Sequence, residues 1–229
     1  MFLISVFHFI PFTLSILGFV FFTEVNADTN PSLPYPYNSV EILPFDPHAH
    51  FGSNQIEGLS YLIKHNKIKT VAEIGSYLGA STCFIAELLP YDGKVYAVDH
   101  WLGNTEWSNH LGFREAQPFF YQQFLSNVIH KRLCEKIIPM KMPSIEAAQV
   151  IDAIPDLVFL DGSHDFDSVY EDLSAWYPLL EENGVLCGDD FNWGVDKPVK
   201  RAVLRFAEEN NLRVNVINDW FWYYQLEER

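Results

Sequence analysis

The sequence predicts a doubly wound α/β domain around a mostly parallel, seven-stranded sheet that ends in an antiparallel hairpin. Three observations support this fold. From residue 53 onwards, short apolar runs typical of buried strands alternate with segments of helical periodicity. Acidic residues directly follow several of those runs, and two further strand-like segments end the chain. Because alternating strands and helices favour parallel pairing with right-handed crossovers, we expect helices on both faces of one open sheet.

The elements are predicted in order along the chain. Residues 53–68 carry apolar side chains at helical spacing and predict the first helix. Asp196, followed by Pro198, predicts the N-cap and first turn of the last helix. Residues 212–217 and 220–224, joined by an Asn-Asp turn, predict the closing hairpin. The remaining predicted strands are 70–74, 94–98, 137–141, 157–160 and 185–187, and the remaining predicted helices are 80–89, 115–130, 144–151 and 168–180.

Length and charge limit the classes of protein that the chain can represent. At 229 residues the chain has room for one domain with a substantial core. Its formal net charge of -15 argues against a nucleic-acid backbone or an anionic membrane surface as its partner. The three cysteines are scattered, without paired metal-ligand spacing, and Cys83 and Cys187 are predicted to be buried free thiols.

The first 22 residues form an almost unbroken apolar run. This run, followed by Val25-Asn26-Ala27 as a small-residue cleavage site, predicts a signal peptide or a membrane anchor over residues 1–27. No Lys or Arg occurs before Lys64, so no basic residue holds the following segment in the cytoplasm. We therefore expect a secreted, periplasmic, lumenal or membrane-anchored protein, or a cytoplasmic one if the start is misassigned. Residues 28–52, rich in Pro, Tyr, Asn and Ser, predict an irregular arm.

A glycine-containing segment, Glu73-Ile74-Gly75-Ser76-Tyr77-Leu78-Gly79-Ala80-Ser81-Thr82, follows the first predicted strand. Glycine here allows a sharp turn and a close approach of the backbone to a ligand. The segment is not GxGxxG, because Tyr77 replaces the second glycine, and this weakens an NAD-dependent oxidoreductase as the alternative. Asp99 ends the second strand, where a carboxylate can accept hydrogen bonds from two ribose hydroxyls. His100 and Trp101 follow it and could cover an adenine ring.

Two acidic segments follow the fourth and fifth predicted strands. Asp161-Gly162-Ser163-His164 comes after strand 157–160, and Asp189 and Asp190 come after strand 185–187. Ligands of open α/β sheets bind at the carboxyl ends of the strands, so we expect both segments in one small volume. Three carboxylates this close repel one another unless a cation or raised pKa values relieve them. Their oxygens suit Mg²⁺, Mn²⁺ or Ca²⁺, and Asp161, Asp189 and Asp190 are therefore the predicted metal ligands.

The glycine-containing segment resembles the first motif of the class I S-adenosylmethionine-dependent methyltransferases, which have a Rossmann-like fold. The form that this motif takes here is similar to that of the small metal-dependent O-methyltransferases. The likeness covers roughly residues 53–225. The resemblance implies a methyltransferase domain over residues 53–229 that uses S-adenosylmethionine and a divalent metal, by expectation Mg²⁺. It also implies a small-molecule or sugar hydroxyl as the methyl acceptor. The cofactor-binding residues that it implies are Glu73, Gly75, Ser76, Tyr77, Gly79, Ser81, Asp99, His100, Trp101, Met142, Ser144 and Asp161.

The same resemblance implies a general base beside the acidic segments. The family places a metal-binding Asp after the fourth strand and an acidic pair after the fifth, which agrees with the three predicted ligands. A base often stands three residues beyond the first Asp, and His164 at that position resembles a branch of sugar and macrolide O-methyltransferases. Trp193 is the favoured aromatic residue of the acceptor pocket. The non-catalytic alternative is a secreted or anchored Ca²⁺-binding or carbohydrate-binding domain, which the leader and the acidity favour.

Overall fold

The computed structural model describes residues 32–46, 51–103 and 111–225. The predicted signal peptide or anchor at residues 1–27 and part of the predicted arm lie outside these residues. Within the described ranges, no helix combines the length and the apolar character that crossing a membrane requires.

Seven strands lie within the described residues and form one sheet. They are β1 (Thr70–Ile74), β2 (Lys94–Asp99), β3 (Ile137–Lys141), β4 (Leu157–Leu160), β5 (Val185–Gly188), β6 (Val214–Ile217) and β7 (Phe221–Gln225). Their order is β3-β2-β1-β4-β5-β7-β6; β1 to β5 are parallel, and β7 pairs antiparallel with both β5 and β6. This confirms the predicted fold and its closing hairpin. The strand order reverses between β1 and β4, and such a switch point opens a crevice at the carboxyl ends of the strands.

Helices cover both faces of the sheet because successive strand residues point to opposite sides. The helices of the described residues are α1 (Ser53–His65), α2 (Ala80–Leu88), α3 (Leu111–Ala116), α4 (Phe120–Lys131), α5 (Ser144–Val150), α6 (Phe166–Trp176) and α7 (Pro198–Asn210). One core cluster joins α1, α2 and α4 to the face that carries Val71, and the other joins α5, α6 and α7 to the face that carries Ala72. Cys83 and Cys187 are buried free thiols, as predicted, and Cys134 is buried as well.

Four predicted helices have wrong boundaries, and proline explains two of them. The first predicted helix, 53–68, ends at His65. The predicted helix 115–130 is interrupted by a 3-10 turn at Gln117–Phe119, since Pro118 has no N–H for an α-helical hydrogen bond. The predicted helix 168–180 starts two residues earlier and passes into a 3-10 turn at Tyr177–Leu179, which contains Pro178. Asp196 is not the N-cap of the last helix; Lys197 occupies that position with φ 45° and makes no capping hydrogen bond.

The described part of the predicted arm lies against α4. The Tyr37 side chain is 1% exposed, and its hydroxyl donates to the Ile137 carbonyl at 2.9 Å. Ser126 Oγ accepts from Leu43 N at 2.9 Å. Asn127 accepts from Asp46 N at 3.0 Å and donates from Nδ2 to the Asp46 carbonyl at 2.9 Å. Side chains of α4 thus satisfy backbone groups of an extended segment that has no partner strand of its own.

Candidate active site

The turn between β1 and α2, residues 75–79 (the glycine turn), needs glycine for two reasons. Gly75 and Gly79 have φ values of 94° and 87°, in the left-handed region that side chains with a Cβ disfavour. A Cβ on Gly75 would lie 2.2 Å from the Asp161 carbonyl oxygen, so the turn packs directly on the backbone that follows β4. Gly75 therefore brings the end of β1 and the end of β4 together at the switch point.

Glu73 lies beneath the glycine turn rather than beside a ligand space. Its side chain is fully buried, and Oε2 accepts from Ser76 Oγ at 2.7 Å and from Thr82 Oγ1. Burial raises the pKa of Glu73, although hydrogen bonds from Ser81, Thr82 and Ser76 lower it in part. The carboxyl group thus ties the start of the glycine turn to the start of α2.

Asp99, at the end of β2, is held by two backbone N–H groups. Its Oδ2 accepts from Tyr77 N at 2.9 Å and its Oδ1 accepts from Trp101 N at 2.6 Å. Burial raises the pKa of this carboxyl, against the two backbone hydrogen bonds that lower it. The sequence predicts that Trp101 covers an adenine ring, but its side chain lies in the core and does not line the cavity. Its indole is 3% exposed, donates to the Tyr77 carbonyl at 2.6 Å and packs against Phe124.

A cavity of about 520 Å³ opens at the carboxyl ends of the strands. Of the predicted cofactor residues in the described chain, Glu73, Gly79 and Trp101 do not line it. The predicted residues that do line it, apart from the metal ligands and base described next, are Gly75, Ser76, Tyr77, Ser81, Asp99, His100, Met142 and Ser144. The cavity therefore runs from the glycine turn across the end of β2 to the start of α5.

The same cavity is lined by Asp161, Asp189 and Asp190, here called the acid cluster. One carboxylate oxygen from each residue lies within 4.8 Å of the other two. Burial raises the pKa of Asp161 well above its usual range, and the charges of Asp189 and Asp190 add to the shift. Burial and the neighbouring Asp190 also raise the pKa of Asp189 to about 6. These three carboxylates could hold a divalent cation, which would remove the repulsion among them.

His164 lies at the edge of the acid cluster, as predicted from its position after β4. Its Nε2 is 2.9 Å from Asp190 Oδ2. The imidazole stacks on the Trp193 indole with ring centroids 4.7 Å apart, and both side chains line the cavity. The contact with Asp190 and the stacking together orient the imidazole at the cavity wall.

Sequence reasoning missed several polar residues that line this cavity, among them Gln55, Asp172 and Glu171. Gln55, in α1, is 4% exposed; its Oε1 accepts from Gly52 N at 2.6 Å and its Nε2 donates to Asp161 Oδ2 at 3.1 Å. Asp172, in α6, lines the cavity, and burial raises its pKa to about 6. A signal for Gln55 was present, since it shares the buried face of α1 with Leu59 and Leu62 at helical spacing.

Comparison with known proteins identifies a family that matches the site-bearing part of the chain. A family model described as a methyltransferase domain matches residues 72–191, more than half of the chain and the whole stretch from β1 to the acid cluster. A curated relative, the uncharacterized protein y4gI of Sinorhizobium fredii, is 27% identical over 152 residues. The match covers 64% of this chain but only 16% of that relative, so the chain spans less than one fifth of its length.

Solved methyltransferase structures share the fold. The O-methyltransferase TomG of Streptomyces achromogenes, involved in tomaymycin synthesis and solved with SAM, matches with a TM-score of 0.57 and 16% identity over 77% of this chain and 81% of that chain. An O-methyltransferase of Bacillus cereus in complex with SAH matches with a TM-score of 0.58 and 14% identity over 80% of this chain and 84% of that chain. At these identities the likeness concerns the fold.

Proposed function

Because the chain belongs to the methyltransferase domain family, we propose that it transfers a methyl group from S-adenosylmethionine to a hydroxyl of a small molecule or sugar, with a divalent metal, preferably Mg²⁺. Family membership confirms the resemblance predicted from the glycine-containing segment and removes the NAD-dependent oxidoreductase as an alternative. One observation carries the proposal: a single cavity is lined by the glycine turn and Asp99 on one side and by the acid cluster and His164 on the other. Direct transfer requires donor and acceptor to meet in one such space.

The glycine turn, Asp99 and Ser144 would bind the donor. S-adenosylmethionine supplies an electrophilic methyl group on a sulfonium. Each Asp99 oxygen already accepts one backbone N–H, and each has a further lone pair that can accept a ribose hydroxyl. His100 is the aromatic residue of the His100-Trp101 pair that lines the cavity, so it takes the adenine-facing role expected of that pair.

The acid cluster would bind the metal, and its chemistry fits a hard cation. All three residues offer carboxylate oxygens, burial and neighbouring carboxylates raise the pKa values of Asp161 and Asp189, and Asp189 Oδ1 is buried without a hydrogen-bond partner among the described residues. A bound divalent cation supplies positive charge that lowers the pKa of an acceptor hydroxyl. Gln55 donates to Asp161 Oδ2 and so would keep that carboxylate oriented.

His164 would accept the proton of the acceptor hydroxyl. A hydrogen bond to Asp190 places the proton of the neutral imidazole on Nε2, because a carboxylate oxygen only accepts. The lone pair of the neutral ring is then on Nδ1, the atom through which an imidazole acts as a general base. Stacking on Trp193 holds the ring in one plane while it does so.

The test combines binding and turnover on the full chain. Calorimetry with S-adenosylmethionine and S-adenosylhomocysteine measures donor affinity, and methyl transfer to sugar and phenolic acceptors is then compared with Mg²⁺ and with a chelator. We expect donor binding in both conditions and turnover only with the metal. Absence of donor binding would overturn the proposal, and Ca²⁺ binding without donor affinity would favour the non-catalytic alternative. Full turnover in the presence of the chelator would show that the reaction does not need the metal.

A further inference from the structure

The wall of the cavity is acidic and, in its described part, contains no lysine or arginine. From this charge distribution we infer that the methyl acceptor is a neutral or amine-bearing hydroxyl compound, and that phosphate esters, carboxylates, nucleotides and coenzyme A thioesters are excluded. The inference rests on the proposed function, since it concerns the acceptor of the same site. The carboxyl groups of the wall belong to Asp99, Asp161, Glu171, Asp172, Asp189 and Asp190.

Among the described residues, no lysine or arginine lines the cavity to offset these carboxylates. The nitrogen-bearing rings of the described wall are His100, His164 and Trp193. Segments 47–50 and 104–110, which adjoin wall residues in the sequence, contain no Lys or Arg. The basic side chains of nearby elements lie over aromatic rings that do not line the cavity. Lys141 Nζ is 4.4 Å from the Tyr121 ring centroid, and Lys200 Nζ is 5.1 Å from the Phe191 ring centroid.

A bound donor and metal do not reverse the sign of the wall. A divalent cation carries two positive charges against the three carboxylates of the acid cluster, and S-adenosylmethionine brings one net positive charge to a wall that also contains Asp99. Glu171 and Asp172 on α6 add two further carboxyl groups; Glu171 is exposed, and Asp172 is half-buried and takes part in a hydrogen bond with Ser144. A concave, low-dielectric wall of one sign concentrates its potential inside the cavity.

An anionic acceptor would have to lose its hydration against that potential, and the described wall has no lysine or arginine to replace the lost water. Recognition of a phosphate normally uses arginine, lysine or a cluster of backbone N–H groups, and the wall around α6 offers carboxylates instead. An ammonium group on the acceptor would instead be attracted by the same carboxylates. It could also lie over the ring of Trp193, which is beside His164. Repulsion between the wall carboxylates and an anionic acceptor therefore discriminates between two acceptors even if they carry the same reacting hydroxyl.

The experiment uses acceptors that differ only in charge. One series shares the 3,4-dihydroxyphenyl ring and carries an amine, an alcohol or a carboxylate on a two-carbon side chain; a second consists of glucosamine, glucose and glucuronate. Steady-state kcat/KM is measured on the full chain with S-adenosylmethionine and Mg²⁺ at low ionic strength. We expect the carboxylates to be at least about tenfold poorer than the neutral members, and the difference to shrink in high salt because screening weakens the repulsion.

A charge reversal in the wall sharpens the test. Glu171→Lys should lower, several-fold, the ratio of kcat/KM for the neutral acceptor to kcat/KM for the anionic acceptor. Glu146→Lys makes the same change of net charge at an exposed α5 position that does not line the cavity, and it should leave the ratio unchanged. The inference is overturned if carboxylates are methylated as fast as neutral acceptors, if no neutral or amine-bearing member is methylated, or if both variants shift the ratio equally. Loss of donor binding in the unmodified protein would instead overturn the proposed function.

Discussion

The two ends of the cavity hold their carboxylates in different ways. At the donor end, which comprises the glycine turn and Asp99, each Asp99 oxygen receives a backbone N–H. Beneath the turn, Oε2 of the buried Glu73 accepts from two hydroxyls, and its Oε1 has no hydrogen-bond partner among the described residues. At the acid cluster, three carboxylates face one another; Gln55 and His164 contact two of them, and Asp189 Oδ1 has no hydrogen-bond partner among the described residues.

This difference shows where the protein supplies its own compensation and where it relies on a ligand. Hydrogen bonds from the backbone stabilise a carboxylate at the donor end before any ligand arrives. Burial raises the pKa values of Asp99, Asp161 and Asp189 alike, but repulsion by neighbouring carboxylates adds to the shift of Asp161 and Asp189 and not to that of Asp99. We therefore expect the donor end to be preorganised and the acid cluster to depend on an added cation.

Removing a carboxylate from the acid cluster tests this dependence most strongly. Asp189→Asn should abolish the metal-dependent part of turnover, because the amide offers no negative charge to the cation. Donor affinity should stay close to that of the unmodified protein, since Asp189 lies at the end of β5, away from the glycine turn. Turnover with Mg²⁺ and calorimetry with S-adenosylmethionine measure the two effects. Asp196→Asn, an exposed change outside the cavity, is the control.

Replacing His164 tests the chemistry at the same end. His164→Ala should slow turnover by ~10²–10⁴-fold, the usual range for loss of a general base. Metal and donor affinities should remain, because His164 is not one of the three grouped ligands. Single-turnover rates measured from pH 6 to 9 separate this effect from weaker binding. An unchanged rate would exclude His164 as the base.

At the donor end, Asp99→Ala should weaken binding without altering the metal dependence of turnover. Hydrogen bonds to a charged group contribute about 1.5–3 kcal/mol each, so donor affinity should fall by at least ~10-fold. Calorimetry on the folded variant measures this. The control is Asp92→Ala, which removes an exposed carboxylate paired with Lys69 at 2.7 Å. Equal affinities for the two variants would contradict the ribose-binding role.

The arm and the donor end are linked by one side chain, Asn127, whose Nδ2 donates to the Leu78 carbonyl in the glycine turn and to the Asp46 carbonyl in the arm, both at 2.9 Å. Asn127→Ala should lower the free energy of unfolding by about 1–3 kcal/mol, since it leaves buried polar groups unsatisfied. Donor affinity should fall by about fivefold, or roughly 1 kcal/mol, if the freed turn must be reordered on binding.

Ser126→Ala is the matched variant for this prediction. Ser126 Oγ accepts from Leu43 N in the arm but makes no hydrogen bond to the glycine turn within the described structure. Its loss should destabilise the fold and leave donor affinity unchanged. If both variants weaken donor binding to the same extent, the effect comes from the arm as a whole rather than from Asn127.

The test with the smallest expected effect uses Asp172, a half-buried carboxyl that belongs neither to the donor end nor to the acid cluster. Burial raises its pKa to about 6, above its unfolded value, so the folded state favours the neutral form. The stability that this contributes is complete below about pH 4, the usual pKa of Asp, and is lost as the pH rises towards 6. Asp172→Asn should therefore be more stable than the unmodified protein by about 1–2 kcal/mol at pH 7.5 and equal to it at pH 4. Urea unfolding at both pH values checks this, with the exposed Glu182→Gln as control.

Much of the fold and part of the site could be predicted from the chain. Strand positions followed from short apolar runs, because a strand buried on both faces needs apolar residues in succession. The neighbourhood of Asp161, Asp189 and Asp190 followed from parallel strands ending at one edge of the sheet. The helix interruption at Pro118 was also visible in the sequence, but helical periodicity on both sides obscured it.

Other features depend on contacts between residues far apart in the chain. Gln55 reaches Asp161 across 106 positions, and Asn127 reaches Asp46 across 81. Trp101 follows Asp99 directly, yet its indole turns into the core because Tyr77 and Phe124 offer it a hydrogen bond and an aromatic contact. No local pattern encodes such partners, since they meet only after the sheet has formed.

Local chemistry and tertiary packing thus account for different parts of this protein. The order of elements, the glycine positions and the acidic strand ends follow from the chain, because backbone preference and hydrophobic periodicity act over a few residues. Which carboxylates are satisfied and which remain crowded was decided by packing, since Gln55 of α1 donates to Asp161 and the Tyr77 N–H of the glycine turn donates to Asp99 from distant positions in the chain. The charge inside the cavity is likewise a tertiary property, because its carboxylates come from four separate segments of the chain, after β2, β4 and β5 and within α6.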